Sequence, residues 1–588
     1  MELEIKIQNR QAVINKQVSK LFVLLLFIIL PGIAKAQTIS MDQAPIEDAL
    51  RRLQLMGKIE QDISFMSRPL QPTKIHGWDS ALRTLDTNYF KKGLHPIGKH
   101  FLGKWGYATV LPLQVVQQYV IEQPFKELDG PMIASSGSQT MLSGGFYLKL
   151  GPLSIQYQPQ FVWASNKTFR GTIQTPNYQY PNSYSFDHYE NDMIFNGVLD
   201  APFLRNNLIG NSSIRLNAGP ASLGVSSENI TWGPTTMNPL IMSSHAPGFM
   251  HISFNSRRPW RTPIGSFEWQ WAAAYLDEIN PAYRGIAENY LGYGKDQTRD
   301  EKRYFNGGMI TYQPKWIKGL SVGVTRIVQE PELVLKDFPD WNLIFRNVSR
   351  SSDAQQFSDY LLYAIEENRD QYAGVFLRWL WQPANAEFYA EWARNDAFYN
   401  MRDFIQRPEH SRAYTYGFKK LIGFNENAPS KYWQIISEYT RLQQPSTWPV
   451  LGAGTWYVHG GYRPSGYTHL GEILGAPIGS GANYQMIRIS KFNGMKQFAI
   501  QLDRTTQNAE NFEGTSLAYQ NPSVTKWVDF GLRVLFDHPF KNVFLSTTFA
   551  VKRSYNYNWT QPADATGRGF NNPNDLNSFL FKIGIRYL

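Results

Sequence analysis

A spacing constrains this chain more than any other feature. From about residue 108 onward, apolar residues recur at every second position in eighteen segments, and the gaps between segments alternate between long and short. The period is plainest where Phe267, Trp269, Trp271, Ala273 and Tyr275 stand against Glu268 and Gln270. It recurs in Val528, Phe530, Leu532, Val534 and Phe536, and in Phe579, Phe581, Ile583, Ile585 and Tyr587 against Lys582, Gly584 and Arg586. The segments lie near 108–120, 140–150, 152–163, 213–218, 222–230, 249–256, 265–275, 303–313, 319–328, 371–381, 385–394, 411–421, 431–441, 484–492, 495–504, 525–536, 541–552 and 578–588. Their usual length of about ten residues suits a strand tilted across a bilayer. The gap 164–212 is followed by Gly219-Pro220-Ala221 alone, and Asn493-Gly494 is a ready two-residue hairpin. A soluble sandwich has no reason to gather its long connections at one end. A barrel with short periplasmic turns and long outer loops does.

The faces agree with that reading. Lipid demands an apolar exterior, whereas a wet lumen tolerates Glu268, Arg378, Glu387, Glu391, Arg488 and Arg533. The expected fold is an all-β transmembrane β-barrel of about 18 antiparallel strands over 108–588, with a small N-terminal α-helical periplasmic domain over 37–107. In that domain Ile46, Leu50, Leu53 and Met56 follow helical spacing, with Asp42 a cap and Gly57 a stop, and a second short helix is expected over Asp79–Tyr89. Residues 1–36 read as a signal peptide. Lys16 and Lys20 precede the apolar run Leu21–Leu30, Pro31-Gly32 breaks it, and Ala34-Lys35-Ala36 sets up a cut before Gln37. No later stretch reads as a transmembrane helix, so membrane residence after export must use strands.

Composition narrows the chemistry. The 588 residues include no Cys, which removes thiolate zinc sites, iron–sulfur clusters and cysteine nucleophiles. The ten His show no metal spacing, so no metal and no cofactor are expected. The net charge is +10, of which +3 sits in residues 1–36. The mild excess suits an anionic polymer or membrane surface, and without a Lys/Arg cluster nucleic acid is not an expected partner. Glu387 and Glu391, four apart on one strand face, would be roughly 13 Å apart. A glycosidase pair needs about 5–9.5 Å, so both read as lumen charges. Ser243 and Ser244 adjoin His245, but no Gly-x-Ser-x-Gly elbow is present. No catalytic residue is assigned.

Two loops could meet a glycan. In 231–248, Trp232 offers a stacking face while Ser243, Ser244 and His245 offer directional hydrogen bonds. The alternative for this loop is a folded-in segment that closes the barrel mouth. In 164–212, Tyr178, Tyr180, Tyr184 and Tyr189 interleave with Asn177, Asn182, Asp187 and His188. The alternative there is an interfacial aromatic girdle.

Several blocks also resemble one family. Leu111-Pro112-Leu113, Glu127-Leu128-Asp129-Gly130-Pro131-Met132-Ile133, Gly137-Ser138-Gln139-Thr140 and the run Gly151–Val162 are similar to the first hairpins of the Wzi family of outer-membrane capsule-assembly proteins. Trp232-Gly233-Pro234 with Ser243-Ser244-His245-Ala246 resembles that family's Trp-Gly-Pro…Ser-Asn-Asn-Ala pattern. Gly265-Ser266-Phe267-Glu268 and Leu50–Lys58 are similar too, whereas His245 and Thr235 depart from the residues expected there, Asn and Gly. The resemblance implies an eighteen-stranded barrel in the outer membrane of a Gram-negative bacterium that retains capsular or exopolysaccharide without catalysis. Outer-membrane lipid and the barrel-assembly machinery are then further partners. An open porin or glycan-transport channel is the alternative, and a membrane-embedded hydrolase a third.

Overall fold

The computed structural model describes residues 44–70, 78–91, 98–167 except 104, 203–277, 302–331, 344, 370–395, 401–445 except 427, 456–457, 466–510, 526–557 and 575–587. The expected signal peptide, residues 1–36, lies outside them. Eighteen antiparallel strands close into a barrel: 106–121, 137–150, 153–165, 203–218, 221–226, 251–262, 265–276, 303–314, 320–331, 370–381, 386–395, 412–422, 431–441, 483–493, 496–507, 527–540, 543–555 and 576–587. The last strand pairs with the first, from Phe579 opposite Ile121 to Tyr587 opposite Leu113, which removes every free edge. The strands at 153–165, 203–218 and 251–262 each contain a break. The fourth strand starts at Phe203, ten residues before the periodicity shows it, because Phe203–Leu208 pairs with Gln160–Ser165 beyond that break.

Burial is inverted relative to a soluble sheet. Within Gly265–Leu276 the buried positions include Glu268, Gln270, Ala272 and Ala274, while Phe267, Trp269, Trp271 and Tyr275 face outward. Ile252, Ile310, Val324, Val375, Ile487, Ile500, Leu532 and Phe581 are exposed at mid-strand, as an exterior against hydrocarbon requires. Trp260, Trp316, Trp381, Trp433, Phe540 and Tyr587 stand exposed at the ends joined by short turns and form an aromatic belt. The connections at that end, such as 151–152, 315–319 and 541–542, are short. Those at the other end, such as 166–202 and 442–482, are long.

The lumen is occupied from both ends. Helix α1 (Ala44–Leu55) and helix α2 (Trp78–Leu85) sit in the short-turn mouth. Leu50, Leu53, Trp78, Leu82 and Phe90 pack with Leu380, Leu421, Tyr432, Phe492 and Phe544 of the wall. The first helix stops at Gly57 (φ +74°), with the Lys58 N–H donating to the Leu53 carbonyl at 2.9 Å. A Cβ at Gly57 would collide with the Gln382 side chain, so the stop also fits helix to wall. The helical region is thus a stopper seated in the barrel. From the other end, 227–250 and the described residues 442–445, 456–457 and 466–482 fold inward. Trp232, Leu240, Ile241 and Met242 form one core with Trp456, Tyr457, Tyr467, Ile473 and Leu474.

Candidate functional site

The plug is built around Trp232. A two-residue bridge pairs Ser67 with Trp232 and Arg68 with Thr231, tying the stopper to the outer loop. The Trp232 N–H donates to the Met242 carbonyl (3.0 Å), and the Gly233 N–H to the Met66 carbonyl (2.9 Å). The indole N–H donates to Gln270 Oε1 of the wall at 2.7 Å. Gly233 has φ +103°, and a Cβ there would run into the Glu391 carboxylate. The Pro234 carbonyl accepts from Arg51 Nη2 at 2.9 Å. The Trp-Gly-Pro block is therefore a corner: ring into the core, glycine over a carboxylate, carbonyl onto the stopper.

Wall carboxylates hold the loop by its backbone. Glu391 Oε1 accepts from Thr235 Oγ1 (2.8 Å) and Oε2 from the Leu240 N–H (2.9 Å). Glu438 accepts from the N–H groups of Thr236 (2.9 Å), Met237 (3.1 Å) and Asn238 (3.0 Å), and from the Tyr389 hydroxyl (2.8 Å). Charged acceptors on otherwise orphaned N–H groups make strong bonds in a low-dielectric lumen. The Thr235 hydroxyl thus gives Glu391 a bond that a glycine at this position would not.

A second carboxylate cluster locks the stopper. Glu387 Oε1 takes Arg51 Nη2 at 2.6 Å, Oε2 takes Arg378 Nη2 at 2.5 Å, and Lys419 Nζ lies 4.0 Å away. Arg378 Nη1 also donates to Gln54 Oε1 of the first helix at 2.7 Å. Arg52 bridges Asp48 (2.9 Å) and the Tyr432 hydroxyl (2.5 Å), with its guanidinium 3.7 Å from the Phe492 ring centroid. A cationic helix face is thus matched to a carboxylate-bearing wall.

The connection 122–136 also turns inward. Glu127 pairs with Arg533, Asp129 with Lys582 and Lys126 with Glu472. The Gly130 N–H donates to the Ser244 carbonyl at 2.8 Å. Burial would raise the Asp129 carboxyl, but Lys582 and Lys126 outweigh it and hold it below its ordinary value. Within the inward-folded residues 466–482, burial with Arg303 nearby pushes the His469 imidazole down to about 3, so it is neutral there.

Trp232, Ser243, Ser244 and His245 are all gathered in this plug, exposed by 0, 2, 1 and 0 percent. This corrects the expectation of a solvent-facing glycan loop, because a ring with no open face cannot stack on a polymer outside. The folded-in alternative describes the segment. Ser243 Oγ donates to the Gly475 carbonyl (2.5 Å) and accepts from the His245 N–H (3.0 Å). His245 Nδ1 meets the Glu127 carbonyl at 2.8 Å. Nδ1 of the imidazole is thus engaged by a backbone carbonyl and not by the Ser243 hydroxyl. Tyr178, Tyr180, Tyr184 and Tyr189 lie outside the described residues.

Glu387 and Glu391 are lumen groups, as their strand facing implied. The sequence reading did not assign roles to Arg51, Glu127, Asp129 or Glu438. Two signals pointed to three of them: the Arg51-Arg52 pair within the apolar-periodic helix, and the Glu127-Leu128-Asp129-Gly130 turn; none pointed to Glu438.

Among proteins of known family, the description "Capsule assembly protein Wzi" matches residues 137–567, well over half of the chain. A comparison with curated proteins gives no match. Among solved structures, the fold is similar to Wzi of Escherichia coli, described as an outer-membrane protein involved in group 1 capsule assembly and a carbohydrate-binding β-barrel. The similarity covers 94% of this chain and 99% of that one, at 13% identity and a TM-score of 0.57. Looser overlays join it to OccK7 of Pseudomonas aeruginosa (81% and 98% covered, 10% identity, TM-score 0.36) and OccAB2 of Acinetobacter baumannii (81% and 97%, 11%, 0.37). With a closed eighteen-stranded barrel and a family match of that extent, the chain belongs to the Wzi family of outer-membrane capsule-assembly proteins.

Proposed function

We propose that this protein binds capsular or exopolysaccharide on the outer face of the outer membrane and assists its assembly and attachment there, without catalysing a reaction. The observation that carries the reading is the occupied lumen. The stopper and the inward-folded connections meet at Trp232 and are fixed to the wall through Gln270, Glu387, Glu391 and Glu438. A porin needs a wet path where this chain has a packed core. The binding surface then falls to the long outer connections, with Tyr178, Tyr180, Tyr184 and Tyr189 as glycan contacts, and Trp232, Ser243, Ser244 and His245 support it from below. Engagement of His245 Nδ1 by the Glu127 carbonyl supports a non-enzymatic role. Residues 1–36 act as the export signal and 37–107 as the stopper of the 108–588 barrel. Bilayer lipid and the barrel-assembly machinery are the partners that a strand-spanning chain requires.

The test pairs two measurements on the purified full chain. In planar bilayers it should pass no steady current, and labelled surface polymer should be retained on protein-bearing vesicles. Replacing all four tyrosines by Ala should weaken retention while the barrel still shows heat-modifiable gel mobility. A steady open-channel current with no polymer retention would overturn the reading in favour of a porin.

A further inference from the structure

The packing that fills the lumen is one-sided. Beside it, against the strands of 483–587, lies a cavity of about 440 Å³, within the roughly 300–1,000 Å³ typical of ligand sites. Its lining reaches the exposed Ala44 at the N-terminus of the first helix, beside Met495 and Phe544 buried near the short turns, which sets its entrance at the short-turn end. Deeper in, it is lined by Arg488, Arg533, Lys582, Gln114 and Ser546. At its inner limit stand Phe125, Glu127, Met237 and Arg533. The same four residues line a separate cavity of about 140 Å³ toward the outer connections. The Glu127–Arg533 pair is thus a partition between the two.

Most cations of the lining already have a counter-charge. Arg51 and Lys419 meet Glu387, Arg68 meets Glu47, and Arg533 meets Asp503 as well as Glu127. Asp48, Glu127 and Asp129 are each engaged by a cation, respectively Arg52, Arg533 and Lys582. Arg488 is different. It donates to the neutral Gln501 Oε1 at 2.8 and 2.5 Å and to the Met237 sulfur at 3.4 Å, and it makes no ion pair among the described residues. Cations removed from bulk water and left without counter-charge are costly, and a bound anion offsets that cost. Polar lining groups such as Gln114, Gln497, Ser546 and Thr548 offer the neutral hydrogen bonds that sugar hydroxyls take.

We infer that this cavity is a dead-end binding site for a carboxylate-bearing oligosaccharide segment entering from the periplasmic side, with Arg488 as its charge contact and Lys582, paired with Asp129, beside it. The inference rests on the polysaccharide reading only for the ligand's being a sugar. It places a site on the face opposite the outer loops.

The test is calorimetric titration of the detergent-solubilised full chain with trigalacturonate as probe and maltotriose as neutral control. Trigalacturonate should bind and maltotriose should bind at least tenfold more weakly. Arg488→Gln should weaken trigalacturonate at least tenfold and Arg488→Lys should recover most of that loss. Lys582→Gln is the second variant, and heat-modifiable mobility certifies the fold of each. Equal binding of the neutral trisaccharide, or acidic binding untouched by both variants, would overturn the site. Inorganic phosphate that displaces trigalacturonate at equal concentration would overturn the glycan assignment. Retention of surface polymer by vesicles, measured separately, is unaffected by Arg488→Gln if only this inference fails, and is absent throughout if the outer-surface reading fails.

Discussion

Replacing Trp232 by Ala separates the two roles a tryptophan can take in a glycan-binding barrel. The ring is fully buried, packs with Leu240, Ile241 and Met242, and donates its N–H to Gln270 Oε1 at 2.7 Å. Burying some 150–250 Å² of aromatic surface at about 25 cal/mol per Å² is worth about 4–6 kcal/mol. Partial collapse of the cavity returns some of this, whereas Gln270 left without its donor adds to the loss. A net destabilisation of about 3–5 kcal/mol is expected, in line with other buried Trp→Ala changes. The loss should fall on the plug, because the barrel is closed by strand pairing in which Trp232 takes no part. The variant should therefore keep heat-modifiable mobility, yet show current bursts in planar bilayers and faster protease cleavage within 231–248. A variant as closed and as protease-resistant as the wild type would refute the packing argument. Loss of polymer retention with the plug intact would show that the ring touches sugar after all.

Gly233→Ala should be as damaging as Trp232→Ala although it adds one methyl, because it forces a left-handed φ on alanine and drives Cβ into Glu391; bilayer current bursts check it. Glu387→Ala leaves Arg51, Arg378 and Lys419 around an empty position and should cost about 3–5 kcal/mol, read as a lower denaturant midpoint for release of the stopper. Ile583→Arg, at mid-strand between Thr547 and Gln117, should cost about 2–4 kcal/mol in refolding titrations, whereas Tyr587→Arg near the interface should cost about 0–1 kcal/mol. Epitope tags in 166–202 or 332–369 should be antibody-accessible on intact cells, and tags in 315–319 or 541–542 should not; surface labelling of a short turn would invert the topology.

What could be read in the sequence was what lipid enforces locally. A strand between hydrocarbon and a polar lumen must alternate, so the facing of Glu268 against Trp269, or Lys582 against Ile583, is written in adjacent residues. The break in 203–218 hid half of one strand, because Phe203-Leu204-Arg205 near the outer rim does not keep the period. The folded-in 231–248 segment was one of two readings, but the contacts that hold the plug were not legible, for a different reason. Arg51 meets Glu387 across 336 residues, Thr235 meets Glu391 across 156, and Trp232 meets Gln270 across 38, and no local pattern encodes those pairings.

The polar lumen and the buried Trp232 follow from one constraint. A barrel of eighteen strands encloses more space than its own inward side chains fill, so the space must hold water or other parts of the chain. This chain supplies a stopper from one end and loops from the other. Because the wall had to alternate, these meet inward-facing polar groups in place of an apolar face. The solution visible here sets wall carboxylates on backbone N–H groups and stopper arginines, with apolar packing at the plug's centre around Trp232, Tyr457 and Leu474 and between the stopper and the wall at the short-turn mouth. Such a plug is held by a few directional, charge-assisted contacts more than by area. Single changes at Gly233 or Glu387 should therefore loosen it while the barrel stands, and a residue can be indispensable to a closed lumen without touching any glycan.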